Sequence, residues 1–589
     1  MENPGADNIF IAVGSFGKYQ IRILSTSLFI LFWGFSDYIT FSLLFYEPPF
    51  NCTISIPVIT TCNFSDVAQY SVNHVEKTFN SKCPSEYLNI SWQQCSDVEY
   101  FSSTIGNTAV TDFNLICDRH IYRAIAQSLM PIGFFFGSIC TGQLSDRFGR
   151  LRTIVIVGFI KSLFNFVLYF SNNFATFLVG FFFSAACEHG TYLATYVYFV
   201  ELSGPHSRLL NICIMTVTNV FRDIYVLILY YFLQNWRWLE LIFGVCSLSI
   251  VLLIWLMDES PIWLISRNRF AEAEIILQKI ATANGRTIPQ EHLNKYISRC
   301  VNEKEVEESA GSMHVFRIFS QPVLRIKWLI LCAMWTCISI GFYAVFFSLP
   351  DLSSNIYVTT FAFGCLSTFS ELATFGAITI LGRRICLLFV LLFGGICGIC
   401  IPFATVSWMN ITLSLTATAC FSSAFATIYI LTSEIFPTPV RNAGLGSCSM
   451  ICRIGTAIVP YVLLIPRGDI AVFSLSIFVM LFIPFLHETR GRALPQILNE
   501  AENIGLHWNF YGIEKLSSSI LGRFPRCLPH SFIPRSGSQS TGFSSFQNET
   551  GNGQTNRAYQ PNLFYPTADV MLEVPPSKPD DDVDASIQL

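Results

Sequence analysis

Gly142-Gln143-Leu144-Ser145-Asp146-Arg147-Phe148-Gly149-Arg150-Leu151-Arg152 is a charged turn set between apolar runs, and its Gly-Arg core returns as Gly382-Arg383-Arg384. Glu201 and Arg208 follow the first copy, and Glu434 and Arg441 follow the second. The steps from 149 to 382, from 201 to 434 and from 208 to 441 are each 233 residues, so one signature occurs twice at one offset. In both copies the Gly-Arg pair closes an apolar stretch and the Glu-x6-Arg closes a later one. Charge therefore marks the same face of a membrane twice. A plain positively charged loop accounts for the arginines and leaves the fixed offset unexplained. Two matched halves spanning a bilayer point to a transporter.

The composition agrees. Of 589 residues 52% are hydrophobic and 13% charged, with 55 phenylalanines, too apolar for an ordinary soluble protein. A helix needs about 20 apolar residues to cross the hydrocarbon core. Twelve stretches of that kind centre near residues 33, 133, 162, 187, 222, 248, 338, 367, 394, 421, 454 and 477. The polar start, Met1 to Lys18, lacks a signal-peptide cleavage pattern and is expected to be retained.

Cations in short loops orient such a bundle. Lys18, Arg22, Arg147, Arg150, Arg152, Arg208, Arg383, Arg384, Arg441, Arg490 and Arg492 fall on one side, against Arg237 and Arg467 on the other. The first side is then cytoplasmic, with both termini in it. The long loop over residues 47–123 becomes extracellular, and it holds three sequons headed by Asn51, Asn63 and Asn89. It also holds Cys52, Cys62, Cys83, Cys95 and Cys117, which suggest a disulfide-stapled ectodomain. Five is odd, so one thiol is free, pairs with a membrane cysteine such as Cys140, or bonds another chain.

The domain plan is a cytoplasmic N-terminus (1–22), a six-helix half (23–258), a cytoplasmic linker with helices (259–327), a second six-helix half (328–487) and a cytoplasmic tail (488–589). The linker carries helical patterning over residues 269–280. From Ser517 the tail is rich in Ser, Gly, Asn, Gln and Pro, a composition that buries too little apolar surface to fold. Its last residues, Ile587-Gln588-Leu589, suit addition to a partner's sheet edge on the cytoplasmic side, although chance explains three residues equally well.

Asp146-Arg147-Phe148-Gly149-Arg150 and Gly382-Arg383-Arg384 resemble the loop motifs of the major facilitator superfamily. More narrowly, the chain resembles the organic cation, organic anion and carnitine transporters of solute carrier family 22. The resemblance rests on Phe113 to Asp118, Trp236-Arg237-Trp238-Leu239, Glu259-Ser260-Pro261-Ile262-Trp263-Leu264, Asn355-Ile356-Tyr357, Glu434 to Asn442 and Glu488 to Pro495. It spans about residues 16–505. It implies an all-α membrane protein with twelve transmembrane helices in two six-helix pseudo-repeats and a large extracellular loop between helices 1 and 2, resident in the plasma membrane. The chain departs from the family at Asp258, usually Pro, and at Ile262, usually Arg.

In this fold the substrate site is expected near the bilayer midplane between the halves, and intramembrane charges are candidates by default. They are Asp37, Lys161, Glu188, His189, Arg222, Asp223, Glu371 and Arg453. Helical spacing sets aromatic rings one turn from several acids: Trp33 with Asp37, Tyr192 with Glu188, Phe375 with Glu371. An acid beside an aromatic face attracts a cation that has shed water, and Phe342 and Tyr343 are placed to complete a cage. With aromatics at 15% of the chain, chance spacing accounts for many such pairs. Arg453 resembles the eleventh-helix arginine of the anion and carnitine branches, and a guanidinium binds a carboxylate bidentately. The basic residue that the resemblance implies in the eighth helix of an anion transporter is replaced by Leu372, beside Glu371. Arg453 pairing with a buried acid is the structural alternative, whereas adjacent Arg222 and Asp223 point about 100° apart and are not expected to pair.

Asp146, Arg147, Arg150, Glu201, Arg208, Arg383, Glu434 and Arg441 form the expected gating frame, exchanging charge links as the halves rock. The leading reading is transport of small organic cations or carnitine-like zwitterions by alternating access, with H⁺ or Na⁺ as a candidate coupled ion. An organic anion exchanger of the same family is the alternative, and a scaffold or sensor that no longer transports is a reading of another class. No phosphate-binding glycine loop, metal-spaced His/Cys cluster, nucleic-acid motif or ATPase domain is found, so neither an enzyme nor a cofactor is expected.

Overall fold

The computed structural model describes residues 4–14, 16–62, 69–80, 97–101, 105–204, 208–293, 297–298, 318–319, 321–352, 355–437 and 440–490. The chain divides into two units, Met1–Gly522 and Arg523–Leu589, and the second lies outside the described residues, as does the expected tail partner site.

Each of the twelve apolar centres falls inside a helix. The spanning helices run, in order, Lys18–Gly34 with Asp37–Leu44, His120–Phe148, Arg150–Tyr169, Phe174–Leu202, Arg208–Leu233 and Trp236–Leu248, then Pro322–Ser348, Ile356–Leu381, Arg383–Cys400, Ser407–Ile435, Arg441–Leu463 and Gly468–Val479. Among the described residues eleven spans are long and apolar enough to cross a membrane. The fourth helix has the length, 29 residues, and Glu188 with His189 interrupts its apolar run. Polar residues set the helix starts: Asn173, Asn235, Ser260 and Asn355 each accept a backbone N–H two or three residues on. Short linker helices follow at Pro261–Ser266 and Phe270–Ala283.

The first spanning helix is broken. One segment ends at Gly34 and the next begins at Asp37, because Ser36 turns its hydroxyl back to the carbonyl of Phe32 and Asp37 suits the positive end of a new helix. The long loop adds a three-stranded antiparallel sheet to the helical fold, with β1 (Phe50–Cys62) between β2 (Gln69–Asn80) and β3 (Asp97–Tyr100). The β1–β2 register pairs Asn51 with Asn80 and Cys62 with Gln69. Asn51, Cys52 and Cys62 thus lie on β1, whereas Asn63, Asn89, Cys83 and Cys95 lie outside the described residues. Cys117 is disulfide-bonded, and Cys140 carries a free thiol, so it is not the partner of an odd loop cysteine.

Buried apolar residues form two clusters. One joins the loop-face part of the first half to the whole depth of the second, linking Phe41 and Phe45 to Phe346 and Phe347 and reaching Phe436 and Leu486 at the turn face. The other, from Ile9 to Ile297, is confined to the N-terminal segment, the first half and the linker, toward the face bearing the Gly-Arg turns. The halves are therefore packed together at the loop face. Their contacts pair the second helix with the eleventh and the fifth with the eighth.

Candidate functional site

At the turn face the doubled signature folds into two copies of one charge network. Arg150 Nη2 donates to Glu201 Oε1 at 2.8 Å, and Arg383 Nη2 donates to Glu434 Oε1 at 2.7 Å. A further acid caps each turn. Glu259 accepts the backbone N–H groups of Arg150 at 2.8 Å and Leu151 at 3.1 Å, while Glu488 accepts those of Arg383 and Arg384 at 3.0 Å each. Ser260 and Thr489 then donate their hydroxyls to Glu201 and Glu434. Gly149 and Gly382 hold φ of +106° and +87°, which opens the turns for those carboxylates.

Asp146 reaches Arg150 at 2.7 Å, and its carbonyl accepts from Trp263 and Arg267 of the linker. Arg147 is exposed over Phe148, Arg441 is buried against the Phe436 carbonyl, and Arg208 starts the fifth helix. The arginine–glutamate pairs lie within each half, and Glu259, Trp263 and Arg267 tie the linker to the first. Arg150 reaches Glu201 across 51 residues, the link the sequence proposes, and Arg383 reaches Glu434 across the same interval, so neither pair ties one half to the other in this state.

The halves are tied at the loop face by residues the sequence did not single out. Arg123 donates two hydrogen bonds to Asp351, 3.0 Å each, and lies 3.4 Å from Glu47, which also meets His120 at 3.2 Å. Ser42 meets Thr360 at 3.2 Å and Ser128 meets Tyr461 at 3.1 Å. No signal of spacing marks these partners, since Arg123 and Asp351 are 228 residues apart.

The intramembrane charges separate into three groups. Asp37 and Glu188 belong to the interior of the first half, where Asp37 pairs with Lys161 at 3.2 Å and Glu188 accepts the N–H of Tyr38 at 2.9 Å. Glu240 of the sixth helix, absent from the sequence candidates, lines a small cavity together with both acids. Arg222 and Asp223 pair directly, with Nη2 to Oδ1 at 2.7 Å and Nε to Oδ1 at 3.1 Å, against expectation. The guanidinium is long enough to curl across the 100° offset, and burying both charges apart costs more than pairing them.

Glu371 and Arg453 make up the third group. Glu371 is half-buried and takes no ionic or hydrogen-bonding partner among the described residues. Arg453 donates to Tyr343 Oη at 3.1 Å, its Nε is buried without a partner, and no described carboxylate pairs with it. The buried-pair alternative for Arg453 is thus not what the fold adopts.

The surface between the halves is aromatic. Phe134 stacks with His189 at 4.7 Å between centroids, and the Arg453 guanidinium lies 5.6 Å from the Phe134 ring. Tyr192 packs near Phe35 and Tyr196 and is within electrostatic reach of Glu371. Tyr38 stacks on Phe346 across the halves at 4.8 Å.

Other ring pairs proposed from spacing are rearranged. The break at residues 35–36 separates Trp33 from Asp37, and Trp33 meets Tyr225 at 5.1 Å. Glu188 turns inward while Tyr192 faces the other half. Phe342 packs among Phe363 and Phe425 and is 9% exposed, and Phe375 stays half-buried one turn from Glu371.

The family model described as "Sugar (and other) transporter" matches residues 71–497. The chain is 27% identical to the organic cation transporter protein of Drosophila melanogaster, covering 85% of this chain and 95% of that one. It is 28% identical to human organic cation/carnitine transporter 2, over 69% and 74% of the two chains, and 29% identical to mouse solute carrier family 22 member 4, again over 69% and 74%. The inward-open xylose transporter XylE of E. coli superposes with a TM-score of 0.55 at 15% identity, covering 83% of this chain and 99% of that one. With the doubled charge network and the twelve-helix architecture, these matches place the chain in the sugar (and other) transporter family of the major facilitator superfamily.

Proposed function

We propose that the chain carries small organic zwitterions or cations, carnitine-like molecules first, across the plasma membrane by alternating access. The loop face is extracellular, both termini are cytoplasmic, and packing at the loop face corresponds to an inward-facing state. One observation carries the substrate reading: Glu371 and Arg453 keep their charges unpaired at an aromatic surface between the halves, while the other intramembrane charges are paired or enclosed within one half. A carboxylate and a guanidinium offer one partner to an ammonium and one to a carboxylate, and Phe134, Tyr192 and Tyr343 supply faces for the methylated part. The names of the relatives, organic cation and organic cation/carnitine transporters, fit that pair.

Arg453 by itself favours the second reading, an organic anion exchanger. Uptake of radiolabelled L-carnitine, tetraethylammonium and a dicarboxylate into cells expressing the chain separates the two. Saturable amine uptake supports the proposal, and dicarboxylate uptake without amine uptake overturns it.

A further inference from the structure

Four charged side chains gather inside the first half: Asp37 at the helix break, its side chain 10% exposed, with the buried Lys161 on the third helix, Glu188 on the fourth and Glu240 on the sixth. Asp37 Oδ2 lies 3.2 Å from Lys161 Nζ and accepts from Ser184 Oγ at 3.0 Å. Asp37 Oδ1 and Glu240 Oε2 are buried without a hydrogen-bond partner. Asp37, Glu188 and Glu240 all line one cavity of about 10 Å³, close to the volume that holds a single water. Its remaining walls are mostly apolar, among them Met130, Leu168 and Phe181.

One ammonium does not neutralise three carboxylates, and uncompensated charge at membrane depth is strongly disfavoured. Arg222 is within electrostatic reach of Glu188 but is bound to Asp223. His189 turns away to Phe134 and Arg453, and the thiols of Cys187 and Cys246 are the other titratable groups near Lys161. A water in the cavity satisfies lone pairs and carries no charge. Among the described residues no three acids, histidines or cysteines are placed to hold a metal ion, and the Lys161 ammonium repels a second fixed cation. A proton needs neither a coordination shell nor space.

We propose that this cavity is a proton-binding site formed by Glu188 and Glu240, with Asp37 paired to Lys161, and that its proton is the coupled ion of transport. The inference rests on the chain being a transporter and deepens that reading by naming the ion. The site has a mechanical output: Glu188 Oε1 accepts the N–H of Tyr38 at 2.9 Å, and the Tyr38 ring stacks on Phe346 of the other half. A proton on Glu188 replaces a carboxylate acceptor by a neutral one and weakens that bond. The segment after the helix break is then released to shift against the second half. The proton is taken up from one face and given to the other, and no covalent bond besides the carboxyl O–H changes.

Infrared difference spectroscopy of the purified full-length protein, titrated with pH, tests the site without any substrate. The expected result is a buried protonated-carboxyl band that is lost or shifted in Glu188→Gln and in Glu240→Gln and is unmoved by Na⁺ at constant pH. Absence of the band, its persistence unchanged in both variants, or its displacement by Na⁺ overturns the site. In proteoliposomes an inward proton gradient is expected to raise radiolabelled L-carnitine uptake several-fold, and the ratio with and without gradient falls to unity in Glu240→Gln. Drive by a Na⁺ gradient alone overturns the coupling. If L-carnitine is not carried while the infrared band behaves as expected, the substrate reading falls and the proton site stands.

Discussion

Arg123, near the start of the second spanning helix, and Asp351, just beyond the seventh, meet through two hydrogen bonds of 3.0 Å each and so join the halves at the loop face. Arg123 is 8% exposed, whereas the Asp351 side chain is 54% exposed. The pair therefore sits between a screened surface bridge and a buried one, worth about 1 to 2 kcal/mol. Arg123→Ala is expected to shift the balance of states roughly tenfold toward opening of the loop face. Labelling of a cysteine placed at Ser128, against Tyr461, reports the opening: faster modification in the Arg123→Ala background is the expected result, and an unchanged rate counts against the clamp.

Lys161, itself fully buried, holds Asp37, whose side chain is 10% exposed. Lys161→Met leaves an unpaired carboxylate and is expected to destabilise the protein by about 3 to 5 kcal/mol. Lys161→Met combined with Asp37→Asn removes both charges and recovers most of that loss. Thermal unfolding in detergent checks this, and simple additivity of the two substitutions argues that they do not act as a pair.

Gly364 on the eighth helix faces Asp223 so closely that an added Cβ falls 2.5 Å from Asp223 Oδ2. Gly364→Ala is expected to cost about 1 to 3 kcal/mol by overpacking where the fifth and eighth helices meet, and to reduce uptake. Gly376→Ala, on the same helix in open space, is expected to be neutral or to stabilise by up to about 1 kcal/mol through helix propensity. Equal effects of the two substitutions overturn the packing argument.

Glu259 and Glu488 cap equivalent turns, but the turns are not equally tight. An added Cβ at Gly149 falls 2.3 Å from Glu259 Oε2, whereas at Gly382 it falls 3.1 Å from Glu488 Oε2. Both glycines have positive φ, so both alanine substitutions are strained, and Gly149→Ala must also displace a carboxylate held by three backbone N–H groups. Gly149→Ala is therefore expected to lower the unfolding temperature further than Gly382→Ala. Glu259→Ala, which leaves those N–H groups without their cap, is expected to cost about 1 kcal/mol.

Glu371 and Arg453 are expected to divide the substrate between them. Glu371→Gln lowers uptake of L-carnitine and of tetraethylammonium alike, by roughly tenfold or more for a charge-assisted contact of about 1.5 to 3 kcal/mol. Arg453→Gln lowers L-carnitine uptake while sparing tetraethylammonium. Concentration dependence of uptake for each variant reads the split, and loss of both substrates in Arg453→Gln at normal surface expression counts against the assignment.

Much of the fold was legible in the chain. Apolar runs must be helical in lipid, because a bilayer leaves backbone groups no other partner, and the 233-residue offset carried the repeat. Local spacing was a poorer guide to the site. It placed Trp33 beside Asp37 by assuming a continuous helix, which Ser36 interrupts. It also treated Arg222 and Asp223 as divergent, although a long guanidinium reaches back to its neighbour. Glu240 escaped notice because it lies one turn from the loop-end residues Trp236 and Arg237 and reads as part of that polar end, until the fold buries it.

The sequence by itself determined membrane residence, helix number, the repeat and most of the intramembrane charges, since each follows from composition and period along one chain. Only the tertiary structure decided which charges meet. Arg123 finds Asp351, Lys161 finds Asp37, and Glu371 and Arg453 are left unpaired, because pairing depends on where helices more than a hundred residues apart come to lie. Desolvation in the bilayer makes each of those meetings strongly consequential for stability and for movement.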